Sequence, residues 1–255
     1  MAEHGPATAE TRLYVDDTLA TGTTVGLGPE RAHFLKHVLR LGSGAAVSLF
    51  NGRDGEFLAR IDAVGKNAAA LTVEAQIRPP AAEVDLWLVF APIKFGRIDF
   101  LAQKATELGV SRLMPVFTRY TSVDRVNVER LAANAVEAAE QTQRLTVPLV
   151  AEATSLDRAI GDWPRDRRLY VCAEFGTVQP AATAFAAHGR GAPAGILVGP
   201  EGGFERSELD ALTKLSFVTA VGLGPRVLRA DTAALAALAV WQAVAGDWID
   251  SKPAK

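Results

Sequence analysis

The sequence predicts an α/β protein, with a small N-terminal β-barrel followed by a larger domain built on a parallel sheet. Three observations carry this. Short, partly alternating apolar runs crowd the first third of the chain. A double proline, Pro79-Pro80, closes that stretch. Beyond it, apolar runs alternate with helix-spaced segments, as in a parallel sheet buried on both faces. The division that follows is 1–78 and 79–255.

The first segment reads as strands at 13–15, 46–50, 56–61 and 71–75. Asn51-Gly52-Arg53-Asp54-Gly55 joins two of them as a hairpin turn, because Gly, Asn and Asp tolerate positive φ. One helix starts at Pro29 and runs to about Leu39, with Phe34, Val38 and Leu41 on one face. Ile77-Arg78-Pro79-Pro80 reads as the linker.

In the second segment, strands are expected at 86–91, 113–117, 149–150, 169–173, 195–198 and 217–221. Ile98, Leu101, Ala105 and Leu108 recur at helical spacing, with Gly109 closing the helix. Asn127 is placed to cap a helix through Val128, Leu131, Ala135 and Val136. The alanine-rich 181–192 stretch is a weak helix or a loop. A last helix spans about 231–245.

Bulk properties narrow the classes. Hydrophobic residues make up 49% of the chain, as in a packed globular protein. The polar start, residues 1–11, carries no signal peptide pattern. The 233–245 stretch is broken by Gln242 and is too short to span a bilayer. The single cysteine, Cys172, excludes an intrachain disulfide and suits a reducing cytosol; placed mid-strand, it reads as core. A net charge of -2 argues against a generic nucleic-acid binder, so any RNA contact must be a local patch.

The chemistry concentrates late in the chain. Ile196-Leu197-Val198 runs into Gly199-Pro200-Glu201-Gly202-Gly203-Phe204, and a helix begins near Glu205. The next strand runs into Leu223-Gly224-Pro225-Arg226-Val227-Leu228-Arg229, and the last helix follows. One such loop is an ordinary tight turn. Two at successive strand ends make a place where ligand atoms can approach main chain without a Cβ in the way, and strand carboxyl ends are where open α/β sheets bind ligands. The N-terminus of the helix at Glu205 favours acceptor groups. Neither G-x-G-x-x-G nor Gly-Lys-Ser/Thr occurs, so this is no dinucleotide fingerprint or P-loop. Arg226 and Arg229 can grip a phosphate or carboxylate, or can be plain helix-start arginines. Asp231 fits a cap or first-turn acid. Lys104 and Glu107 fit a solvated pair. His33 and His37 lack the glutamate and cysteine partners of zinc sites, so no metal is expected. No Ser-His-Asp arrangement emerges, with His4 and His188 in unstructured-looking stretches.

Taken together, Gln103-Lys104-Ala105-Thr106-Glu107-Leu108-Gly109-Val110, Glu140-Gln141-Thr142-Gln143-Arg144 with Pro148, and the two loops resemble the RsmE family. These are bacterial 16S ribosomal RNA uridine N3-methyltransferases of the SPOUT class. The front end agrees: Arg12-Leu13-Tyr14-Val15, His33-Phe34-Leu35-Lys36-His37, and Leu49-Phe50-Asn51-Gly52 with Gly55-Glu56. The likeness runs from about Thr11 to Asp247. It departs at Asp231, where the family more often has Glu, at Thr142 and near Tyr120.

The resemblance implies a PUA-like RNA-binding barrel, a SPOUT domain with a deep trefoil knot, and a cytoplasmic homodimer acting on 16S ribosomal RNA, within the 30S subunit. It implies S-adenosyl-L-methionine bound by the main chain around Leu197, Val198, Gly199, Pro200, Glu201, Gly202, Gly203 and Phe204. The second loop adds Leu223, Gly224, Arg226, Val227 and Leu228, with Thr232 close by. Uracil N3 must lose a proton, and a cation beside the base would stabilise the developing charge. Arg229 is the first candidate and Arg226 the second. Arg12, Arg40, Arg53, Arg119 and Arg144, with Arg60, are the expected RNA contacts, mainly to phosphates. A non-enzymatic RNA-binding factor on this scaffold, or an enzyme of the class acting on another RNA position, remains open from sequence.

Overall fold

The computed structural model describes residues 9–94, 96–176 and 178–248. The polar stretch read from Met1, with His4, lies outside the described residues for its first eight positions; so do Phe95 and the end of the 79–255 segment. The chain divides into two compact units: Met1–Ala82 with Ala139–Val147, and Glu83–Ala138 with Pro148–Lys255. Among the described residues, no helix is long and apolar enough to cross a membrane.

The first unit is a five-stranded sheet of β1 (Arg12–Tyr14), β2 (Thr24–Leu27), β3 (Ala46–Phe50), β4 (Glu56–Val64) and β5 (Ala69–Arg78), in the order β1-β3-β4-β5-β2. β1 runs parallel to β3, and the other pairs are antiparallel. Three register shifts interrupt the β4–β5 ladder, and the sheet packs around Leu13, Val25, Leu35, Val47, Ile61 and Leu71. In the β3–β4 turn, Asn51 Oδ1 accepts the N–H groups of Arg53 (3.0 Å) and Asp54 (2.9 Å). Asp54 in turn accepts from Leu19 N–H and Asn51, bonds that hold its carboxyl below the usual range.

Three expectations change here. β2 is an added strand, whose Thr-Val-Gly-Leu sequence is too short to show alternation. β5 continues through Ile77 and Arg78, so the linker begins after them. Gly55, at φ +95°, permits this, because a Cβ there would collide with the Arg78 carbonyl. The helix does start at Pro29, but α1 (Pro29–His33) passes into a π-helical turn (Phe34–Val38), with Leu39 N–H donating to Phe34 O at 3.0 Å. That wider turn rotates Val38 off the expected face, and it stands 59% exposed while Ala32 and Leu35 are buried.

Buried Glu56 explains why 139–147 belongs with the first unit. It accepts from Arg12 Nε (2.9 Å), Arg78 Nη1 (3.0 Å) and the Ser48 hydroxyl. Arg12 also donates to the carbonyls of Ala139 (2.6 Å) and Arg144, and Arg78 to that of Gln143 (2.8 Å). These are carbonyls at and just beyond the end of α3 (Val128–Gln141), where a helix leaves acceptors unpaired.

The second unit holds β6 (Leu86–Phe90), β7 (Arg112–Phe117), β8 (Leu149–Val150), β9 (Thr154–Ser155), β10 (Arg168–Cys172), β11 (Gln179–Pro180), β12 (Ala194–Val198) and β13 (Val218–Gly222). The order is β11-β13-β10-β12-β6-β7-β8, with β9 also on β7, and every described pairing is parallel. Leu88, Ile196 and Val198 face a core shared with α2 (Arg97–Glu107), α5 (Ala181–Ala186) and α7 (Ala230–Val244). Val89, Val171 and Leu197 face the opposite core, with α4 (Leu156–Gly161) and α6 (Arg206–Thr213). Burial on both faces is why these strands read as unbroken apolar runs. Asn127 caps α3 through Arg130 N–H at 2.9 Å, as expected. α4, capped by Ser155, and the two-residue β9 and β11 were not foreseen, being too short to carry a period.

Candidate active site

The carboxyl ends of β10, β12 and β13 lie side by side, so the loops that leave them share one end of the sheet. Between these loops is a cavity of about 160 Å³. Val198, Gly199, Pro200, Gly203 and Phe204 line it from β12 and its loop. Leu223, Gly224, Arg226, Val227 and Leu228 line it from the loop after β13, and Ala230 and Ala233 from α7.

The glycines have different reasons. Gly203 has φ +72°, and a Cβ there would come within 3.2 Å of Glu174 Oε2. Gly224 has φ +102° with no neighbour near its missing Cβ, so backbone conformation alone requires it. The result is a small cradle walled largely by main chain and apolar side chains. That suits a small ligand held by main-chain hydrogen bonds and apolar contact.

Other expected residues stand elsewhere. Leu197 is buried on the opposite face of β12. Glu201, Gly202 and Thr232 are exposed and outside the cavity lining. Arg229 precedes α7 as its N-cap residue and is exposed. Among the described residues, neither Arg226 nor Arg229 makes an ion pair. Asp231 lies in the first turn of α7, accepts Thr232 N–H at 2.9 Å and pairs with Arg97 at 3.6 Å. At the N-terminus of α6, Glu205 and Glu208 cap each other's backbone N–H reciprocally, which takes up two of the donors there.

The basic residues also separate. Arg12 points inward: its side chain is 11% exposed, bound to Glu56, with its guanidinium 3.6 Å from the Phe50 ring centroid. That burial removes it from an RNA-facing surface. Arg60 pairs with Glu74, and Arg144 is half-buried, donating to Thr146. Arg40, Arg53 and Arg119 are exposed; Arg53 also donates to Asp16 O.

A third segment, at and after the end of β10, joins the two loops that the sequence singles out: Cys172, Glu174 and Val178 also line the cavity. The available signal was position: this strand also ends at the sheet's carboxyl edge, followed by Ala-Glu-Phe-Gly. Cys172 packs against the core, as expected, and is a wall residue of the cavity as well. Burial pushes its thiol up to about 12, so it is neutral near pH 7 and no nucleophile.

Comparison with known proteins bears on this geometry. The family description "RNA methyltransferase domain" matches residues 80–242, and "RNA methyltransferase PUA domain" matches 27–74. The ribosomal RNA small subunit methyltransferase E of Rickettsia conorii is 34% identical over 230 residues, 89% of this chain and 93% of that one. The chain belongs to the RNA methyltransferase E family. The Bacillus subtilis member is 29% identical over 84% of this chain and 88% of its own. A methyltransferase E structure from Neisseria gonorrhoeae, bound to S-adenosyl methionine, superposes with a TM-score of 0.83 at 27% identity, covering 93% of this chain and 99% of that one. A Legionella pneumophila methyltransferase with the same cofactor gives 0.80 at 27% identity, covering 91% and 97%. Family membership makes this chain an RNA methyltransferase with an N-terminal PUA-like domain.

Proposed function

We propose that the protein transfers a methyl group from S-adenosylmethionine to N3 of a uridine in 16S ribosomal RNA, on the small ribosomal subunit, as a cytoplasmic homodimer. The observation that carries the reading is the glycine cradle at the ends of β10, β12 and β13. The names and bound cofactor of the relatives support it. The knot expected of the class belongs to the same reading. It is supported by the late strand β12, which enters the sheet between the earlier β6 and β10.

The residues present fit the cofactor. Gly224, with open space beside it, leaves main chain approachable, Gly199 and Gly203 let the loop pack against Phe204 and Glu174, Val198, Leu223 and Leu228 offer apolar walls for the adenine, and backbone groups supply hydrogen bonds. Leu197, Glu201, Gly202 and Thr232, named with them from the resemblance, stand outside the cavity lining. When bound, the cofactor supplies an activated methyl group. The chain's part is to hold the uracil in line with it and to stabilise charge as N3 loses its proton. Arg229 is assigned that charge stabilisation, with Arg226 nearer the cofactor. The first unit is assigned to holding RNA, with Arg40, Arg53 and Arg144 meeting phosphates and Arg119 near the cradle.

The test is transfer of labelled methyl groups to small subunits lacking the modification, followed by nucleoside analysis. Labelled 3-methyluridine is the expected product. Cofactor binding without transfer would redirect the search to another RNA, and absence of cofactor binding would leave only an RNA-binding scaffold.

A further inference from the structure

Gly202 sits in the 199–205 loop between the cavity residues Pro200 and Gly203, and it meets an aromatic ring that the methyl-transfer reading leaves unassigned. Tyr120 lies in the turn after β7, and a Cβ on Gly202 would come within 3.3 Å of Tyr120 Cβ and 3.9 Å of its Cγ. Glycine at 202 is what lets the two loops touch. Three hydrogen bonds fix the turn. Thr118 N–H donates to Thr121 Oγ1 (2.9 Å), Thr121 N–H to Thr118 O (3.1 Å), and Arg119 N–H to Glu208 Oε1 (2.8 Å). Glu208 is itself held at the start of α6 by Glu205 N–H (3.0 Å). The backbone is therefore pinned while the side chain stays 52% exposed.

An exposed aromatic alone signifies little. Here it has company. Phe175, after β10, and Val227, after β13, are exposed at the same end of the parallel sheet. Arg206 lies near Phe175, its guanidinium carbon 5.7 Å from the ring centroid. Arg119, Arg226 and Arg229 are exposed there without an ion pair among the described residues. Exposed rings interleaved with unpaired arginines are the makings of a surface for unstacked nucleotides. Glu174 and Glu201 are exposed at the same end, so charge alone would not hold a base there. Stacking on a neutral ring would.

We propose that Tyr120 is the platform on which the target uracil stacks once it has left its RNA strand. Uracil N3 is shielded inside a paired, stacked strand, so an enzyme acting there must extrude the base and give its face a partner. A side chain with a pinned backbone does so at low ordering cost. The inference rests on the methyl-transfer reading and adds the residue that receives the base.

The experiment measures methylation of unmodified small subunits by the wild type, Tyr120→Phe and Tyr120→Ala, with S-adenosylmethionine affinity for each by calorimetry. Tyr120→Ala should lower kcat/KM by about 5- to 150-fold, the usual range for a lost base–aromatic stack. Tyr120→Phe, which keeps the ring, should stay within about twofold, and cofactor affinity should hold within about threefold in both. Undiminished kcat/KM in Tyr120→Ala overturns the proposal. So does a Phe variant as impaired as Ala, or cofactor affinity falling in step with activity, which would mark a structural prop for Gly202. A wild type that binds cofactor yet methylates no RNA would instead remove the underlying reading.

Discussion

Gln242 donates its side-chain amide to the carbonyl of Leu108 at 2.7 Å, joining the ends of α7 and α2. Its Oε1 accepts Asp247 N–H at 3.1 Å, and the residue is fully buried. Two glycines make room: a Cβ on Gly109 would lie 2.7 Å from Gln242 Nε2, and one on Gly246 would collide with Oε1. Replacing the buried amide takes this partner from the Leu108 carbonyl and from the Asp247 N–H. Gln242→Leu should therefore lower stability by about 1–3 kcal/mol. The readout is the urea midpoint at constant slope, and an unshifted midpoint refutes this role.

Gly203 offers a test of the cradle. An alanine must adopt φ +72° and push against Glu174. Strain of roughly 1–2 kcal/mol is expected from the backbone alone. Gly203→Ala should weaken S-adenosylmethionine binding at least about tenfold by calorimetry while the protein stays folded. Unchanged affinity would mean that the cofactor does not use this loop.

Arg12 separates a structural from an RNA-binding role. Removing it leaves Glu56, whose side chain is 6% exposed, with Arg78 and Ser48 but without its most buried cation. It also uncaps the carbonyls of Ala139 and Arg144. Arg12→Ala should cost about 3–5 kcal/mol in denaturant unfolding, the range for breaking a buried pair from one side. Exposed Arg53→Ala should leave stability nearly unchanged and weaken RNA binding with a reduced salt dependence. The reverse pattern would return Arg12 to the RNA surface.

The contrast between these arginines shows what sequence can and cannot disclose. Both precede or follow strands and both look like surface cations; only the fold pairs Arg12 with Glu56, 44 positions away. The paired glycine loops were legible because each has a local reason, a turn at a strand end, that survives in three dimensions. Glu174 was not, because its place in the cavity depends on β10 lying between β12 and β13, a neighbour relation that no local pattern encodes. Val38 failed for a subtler reason. Its register was counted at helical spacing, and the π-helical turn broke the count. Gln242 was noticed as a polar break in an apolar stretch, but its partners at Leu108 and Asp247 come from tertiary structure.

Arg229 and Arg226 should part company in kinetics. Arg226 lines the cavity, so its guanidinium meets whatever fills it. Arg229 stands one residue before α7, whose Ala230 and Ala233 form cavity wall, yet it does not line the cavity itself. A cation so placed can reach a base presented at the mouth without holding the cofactor. Arg229→Ala should then cut turnover about 100-fold or more, the scale of losing one preorganised group beside developing negative charge. Its cofactor affinity should remain within about tenfold. Arg226→Ala should weaken cofactor binding as well as turnover. Single-turnover methylation with saturating cofactor separates the two. Full turnover in Arg229→Ala would assign charge stabilisation at N3 to Arg226 or to the main chain.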